Sequence, residues 1–177
     1  MLLISTSHRP SQRTRSFTKD LASLIPYSAR ITRGKMRLSD LAAEAYRRGL
    51  QYILIVCESR GNPSQLLVYR IEASTGLFQV SRYAVIKLKG VRLSRENPLS
   101  TRVYNPRSIG IDYENCTTDL CFTLADLLLA IFFKVLGNQP DVKVVLEDGE
   151  AVTMRFYSSV NRQVGPLIKV REVTVYK

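Results

Sequence analysis

Arg9, Arg13, Arg15 and Lys19 fall within eleven residues of the stretch "TSHRPSQRTRSFTKDLASLIP" (6–26), around the start of a helix. Arginines in such a place hold phosphate, because the planar guanidinium donates two parallel hydrogen bonds to an oxyanion. A helix amino end favours anions and repels cations, so arginines there call for a counter-charge. A nucleic-acid phosphate seated between them and the helix amides would supply it. A carboxylate from elsewhere in the chain, pairing with Arg13 and leaving Arg15 and Lys19 solvated, would do so too. The next basic piece, "SARITRGKMR" (28–37), adds Arg30, Arg33, Lys35 and Arg37 and tips the reading towards phosphate. Arg60, at the tip of the turn "SRGNPS" (59–64), is a further candidate contact.

Other chemistry is thinly represented. His8 is the one histidine, and it lacks an obvious cysteine or serine partner in sequence. The chain has neither a GxxxxGK[ST] loop nor GxGxxG, and its His and Cys spacings do not suit a metal. "LEDGE" (146–150) gathers acids, but Asp148-Gly149 is a turn signal. The expectation is a binding protein without catalytic residues, cofactor, metal or small-molecule substrate. Tyr69, Phe78 and Tyr83 have the type needed to stack bases, although strand aromatics more often belong to the core.

The elements that position these residues follow from periodicity. "LLIST" (2–6) has the length of a strand. Ser11 is a good cap for a helix beginning at Gln12, with Phe17, Leu21, Leu24 and Ile25 on one face and Pro26 ending it. Ser39 caps a second helix that carries Arg47 and Arg48 in its last turn and closes at Gly49. "YILIVCE" (52–58) reads as a central strand, paired through the 59–64 turn with 65–73, and 76–93 continues as strand. Residues 94–108 read as a loop or crossover. A core helix spans about 118–136, followed by strands at 142–148 and 151–158, a turn at 161–166 and a last strand at 167–177. This alternation predicts an α/β fold, a mixed sheet with flanking helices, arranged as two halves.

At 177 residues, with 45% hydrophobic and 23% charged residues, the chain has the composition of one ordinary globular domain. Its net charge is 26 − 15 = +11. Residues 1–100 hold 17 basic and 6 acidic side chains, whereas residues 101–177 hold 9 of each. Charge gathered in one half marks a face for a polyanion. The 17-residue apolar run at 120–136 contains Asp126 and Lys134, so no membrane span is expected. Cys57, Cys116 and Cys121 form no CxxC and read as reduced, in a reducing compartment.

The quoted N-terminal motif, "ITRGK" (31–35), "ILIVCESRGNPSQLLVYRI" (53–71) and "VGPLIKVREVTVY" (164–176) together resemble the Brix domain, in its Imp-type branch. The resemblance runs along essentially the whole chain. It implies one Brix domain over 1–177, with halves at about 1–93 and 108–177 that each resemble the anticodon-binding domain of class II aminoacyl-tRNA synthetases. It also implies a ribosome biogenesis factor that binds rRNA or pre-rRNA, with ribosomal proteins or other assembly factors as further partners. The bare domain resembles an archaeal, cytoplasmic form. Two positions depart from the family pattern: His8 and Arg9 stand where an arginine often precedes the Pro-Ser pair by two residues, and Leu167 stands where an arginine commonly follows Val-Gly-Pro. The RNA contacts expected are Arg9, Arg13, Arg15, Lys19, Arg30, Arg33, Lys35 and Arg60.

Overall fold

Nine strands form a single mixed sheet, and three helices cover it. The computed structural model describes residues 1–74 and 77–176. In chain order the elements are β1 (Leu2–Thr6), α1 (Gln12–Leu24), β2 (Ala29–Arg30), α2 (Leu38–Arg47), β3 (Tyr52–Ser59), β4 (Asn62–Ser74) and β5 (Leu77–Arg92). After a connection containing a short 3₁₀ turn come β6 (Ile109–Asn115), α3 (Asp119–Phe132), β7 (Val142–Glu147), β8 (Val152–Ser158) and β9 (Gln163–Val175). Across the sheet the order is β2-β1-β3-β4-β5-β9-β8-β7-β6.

The two halves share one layout. In each, a strand, a crossover and a parallel partner (β1 with β3, β6 with β7) lead into an antiparallel meander. The halves meet where β5 and β9 pair antiparallel at the middle of the sheet. The α/β expectation with a mixed sheet and flanking helices therefore holds.

Helices α1 and α3 lie on one face over a core that includes Ile4, Phe17, Leu124 and Ile168, all at most 1% exposed. Helix α2 covers the other face of the first half only, through Leu41, Ala42 and Ala45 against Leu3, Ile53 and Ile55. The corresponding face of the second half is open, and it carries the cross-strand ion pairs Lys143–Asp112 (3.5 Å) and Arg155–Glu147, with Lys87–Glu172 (2.9 Å) at the junction of the halves. Among the described residues no helix is long and apolar enough to cross a membrane.

Several local expectations are corrected. Helix α2 begins at Leu38, not after Ser39: Asp40 reaches back to accept from the Arg37 amide at 2.7 Å, so the acid rather than the serine organises its first turn. The turn after β3 is Arg60-Gly61 alone, both with positive φ (50° and 78°), the mirror-image geometry that suits a twisted hairpin. Strand β4 then starts at Asn62, three residues earlier than expected. Residues 109–115, placed in no element from the sequence, form edge strand β6, which shows only Ile109 and Ile111 before charged residues take over. Strand β9 starts at Gln163, inside the expected 161–166 turn, because Gly165 at φ +65° lets the chain run on past the α1 side chains. Cys116 and Cys121 are joined in a disulfide at the entry to α3, leaving Cys57 as the free thiol among the described residues. The first turn of α3 brings Cys121 back beside Cys116, so the argument from cysteines for a reducing compartment lapses.

Candidate nucleic-acid interface

Three connections converge beyond the carboxyl ends of the parallel strands β1 and β3, the position where open α/β sheets place their ligands. The first, 7–11, leads into α1; the second, 31–37, leads into α2; the third is the Arg60-Gly61 turn. His8 Nδ1 donates to the Gly34 carbonyl (3.1 Å), and the Ser11 hydroxyl donates to the Gly61 carbonyl (2.8 Å). These two bonds tie all three connections together and bring Arg9, Arg33, Lys35 and Arg60 to one end of the sheet. Arg9 and Arg60 both occupy left-handed backbone, at φ 51° and 50°. Strained conformations of this kind concentrate at functional sites.

The amino end of α1 lies in the middle of this cluster, and its counter-charge is internal. Ser11 is extended (φ −63°, ψ 163°) and its hydroxyl accepts from the Thr14 amide, as a cap should. The Glu58 carboxylate, from the end of β3, accepts from the Ser11 amide (2.9 Å) and the Thr14 hydroxyl (2.5 Å). The helix end is thus filled by a carboxylate, and the expected phosphate seat there is corrected to Glu58. Partial burial alone would raise the Glu58 pKa. The bonds from Thr14 and Ser11, together with the Arg15 charge, outweigh that and hold it below its ordinary 4.5. Its stabilisation is therefore complete above pH 4.5 and fades as pH falls through the lowered folded-state value. Glu58→Gln should cost about 1–3 kcal/mol at neutral pH. In urea titrations from pH 7 to pH 3 the gap to the natural protein should close as acid is added; a constant gap would contradict this role.

The eight expected contacts divide accordingly. Arg13 is spent inside the protein: its guanidinium makes two bonds to Glu96 (one of 3.0 Å) and one to the Val91 carbonyl (2.8 Å), linking α1 to the end of β5. The Arg13 hydrogen bond is the main reason that Glu96 titrates below the usual glutamate range. Arg15 bonds the Pro10 carbonyl (2.9 Å) and Arg33 the Met36 carbonyl (3.1 Å), so both keep an uncancelled charge while their direction is set. Arg9, Lys35 and Arg60 are exposed at the cluster; Arg30 is exposed on edge strand β2, and Lys19 on the second turn of α1. Among the described residues, none of these seven enters an ion pair.

The candidate stacking aromatics are occupied elsewhere. Tyr69 is 8% exposed with Arg82 over its ring, Phe78 stacks on Tyr46 at 5.1 Å, and Tyr83 packs on Tyr52 at 5.6 Å. Asp148, in the acidic "LEDGE" stretch, caps α3 by accepting from the amides and hydroxyls of Thr117 and Thr118. Glu58 and Glu96 escaped sequence reasoning, since each acts on residues 44 or more positions away. Among the described residues, no group of three His, Cys, Asp or Glu side chains is placed to hold a metal.

No protein-family model matches the chain. A "Probable Brix domain-containing ribosomal biogenesis protein" of Thermococcus kodakarensis is 34% identical over 194 residues, covering 97% of this chain and 89% of that protein. The protein of the same name from Pyrococcus furiosus is 40% identical over 192 residues, covering 97% and 83%. The crystal structure of a probable ribosomal biogenesis protein from Aeropyrum pernix superposes with a TM-score of 0.83 at 30% identity, over 97% of this chain and 95% of that one. An archaeal Imp4-like protein shares the fold, with a TM-score of 0.67 at 20% identity over 98% and 99% of the two chains.

Proposed function

The chain belongs to the Brix domain-containing ribosomal biogenesis proteins, and from that premise we propose that it is a non-catalytic assembly factor that binds rRNA or pre-rRNA and aids its folding or processing. The observation that carries this reading is the cluster at the carboxyl ends of β1 and β3, where arginines and a lysine stand without ion-pair partners among the described residues. Arg9, Arg15, Arg30, Arg33, Lys35 and Arg60, with Lys19 beside them, are the proposed phosphate contacts. Arg13 serves the fold instead. The working compartment proposed is the cytoplasm, where ribosomal subunits of a cell without a nucleus are assembled.

The cluster reads backbone charge rather than sequence, because long cations contact phosphates and nothing in it is shaped to read base edges. With six or seven cations engaged on single-stranded RNA, the binding constant should fall with salt at a log–log slope of about −4 to −5. Fluorescence anisotropy with a labelled rRNA fragment between 50 and 300 mM KCl measures it. A slope near zero would refute the reading. A second reading, a scaffold for other assembly factors, draws on the apolar surface beyond α3, where Phe133 is 76% and Leu136 38% exposed. Pull-downs that survive nuclease and high salt would favour it.

A further inference from the structure

The connection between the two halves runs along a second basic groove, on the α1 side of the β5–β9 junction and apart from the cluster at the strand ends. Its two basins, of about 910 and 690 Å³, share residues 101–105 and Arg107. They have the size of sites that take compact organic ligands, roughly 300–1,000 Å³. One basin is walled by the end of α1 and Tyr27, the other by the β8–β9 turn. Lys19, Arg95, Arg102, Arg107 and Arg162 line the groove, against two acids, Asp20 and Asp141. Both acids are committed to backbone: Asp20 accepts from the Ser94 amide (2.9 Å), and Asp141 from the amides of Arg107 (2.8 Å) and Ser108 (3.2 Å). The charge left facing solvent is positive.

Two tyrosines flank these cations. Tyr104 is 80% exposed and Tyr27 is 58% exposed. Their mounting is firm. Val103 packs against the core, the Thr101 amide donates to the Gln163 carbonyl (2.9 Å), and the Arg107 amide is held by Asp141. Between those anchors, among the described residues, the amides of Arg102, Val103, Tyr104 and Asn105 donate to no protein acceptor. Tyr27 and Asn105 lie in left-handed backbone, at φ 51° and 47°. A large aromatic residue in that region is strained, and strain of this kind is found at binding segments.

We infer that this groove binds unpaired RNA, with bases stacked on Tyr104 and Tyr27 and the phosphates held by Arg102, Arg107 and the free amides of the connection. Exposed rings interleaved with cations suit single-stranded nucleic acid, whose bases are free to stack, whereas paired bases are not. The inference rests on the RNA-binding reading and adds to it a discrimination that the strand-end cluster lacks: the cluster holds any RNA backbone, the groove selects unpaired segments.

The test uses the full chain and two labelled probes, a 12-nucleotide oligouridine and a blunt 12-base-pair RNA duplex, followed by anisotropy at 100 mM KCl. Tyr104→Ala should weaken oligouridine binding about 5- to 50-fold and leave duplex binding and the salt slope unchanged, while Tyr104→Phe should bind as the natural protein does. Oligouridine binding unaltered in Tyr104→Ala overturns the inference, as does an equal loss on both probes. If the natural protein binds neither probe, the RNA reading itself falls. If it binds both, and neutralising the strand-end cluster abolishes that binding while Tyr104→Ala does not alter it, only the groove falls.

Discussion

A Gly165→Ala chain is expected to melt roughly 5–15 °C below the natural protein, the largest single-residue effect the structure predicts. Gly165 sits in β9 at φ +65°, and a Cβ there would overlap Leu24 Cδ1 and crowd Leu24 Cγ (3.1 Å). The left-handed backbone alone costs an L-residue about 1–2 kcal/mol. Overpacking adds about 1–3 kcal/mol, because Leu24 is 2% exposed and its side chain must shift to admit the new Cβ. A domain of this size loses about 2–4 °C per kcal/mol. The double variant Gly165→Ala/Leu24→Ala separates the two causes: removing the leucine side chain should recover part of the alanine penalty, giving a favourable coupling in a thermal double-mutant cycle. A single variant melting within about 1 °C of the natural protein would show that α1 does not rest on this glycine.

The largest effect on binding is expected when the strand-end cluster is neutralised. The variant Arg9→Asn, Arg30→Gln, Lys35→Gln, Arg60→Asn removes four exposed charges that make no ion pair among the described residues. Asparagine is chosen at Arg9 and Arg60 because it tolerates the left-handed backbone both residues adopt. Losing four phosphate contacts should make the salt slope shallower by about 2.8. Affinity near 100 mM salt should fall roughly 100- to 1,000-fold, equivalent to about 3–4 kcal/mol. The melting temperature should stay unchanged. Arg13→Gln makes the contrast: it breaks the link to Glu96 and Val91, so it should lower stability and leave RNA affinity close to that of the natural protein. If the quadruple variant binds as tightly as the parent, the phosphates lie elsewhere.

What sequence made legible, and what it did not, divides along contact range. Helix α1 was readable because its cap, its buried stripe at Phe17, Leu21 and Leu24, and its stop at Pro26 are all local features. The basic cluster was readable as composition, since charge density needs no fold to be counted. The alternative in which a carboxylate pairs with Arg13 and leaves Arg15 and Lys19 solvated is the one the structure bears out, but its carboxylate, Glu96, is brought across the sheet from 83 positions away and carries no local signal. Glu58 was hidden for the same reason: a lone acid at the end of an apolar strand does not announce that a helix amino end will be laid upon it. Strand β6 was missed because an edge strand has little to bury and so shows little pattern. Tyr104 lies in a segment without periodicity and Tyr27 just beyond the α1 stop, where nothing marks a ring for stacking, while the strand aromatics considered for stacking proved to be packing residues.

Strand β9 follows all the other described elements in chain order, and it occupies the middle of the sheet. As the chain emerges, the first half must therefore carry β5 as a raw edge until β9 arrives to pair with it. An unpaired edge of that length invites association with other chains. The burial of α1 against Gly165 is delayed until the same moment, so the first half cannot finish its core before β9 is made. The molecule closes like a zip drawn from its two outer ends towards the centre, and its folding should be governed by that late, long-range pairing rather than by either half alone.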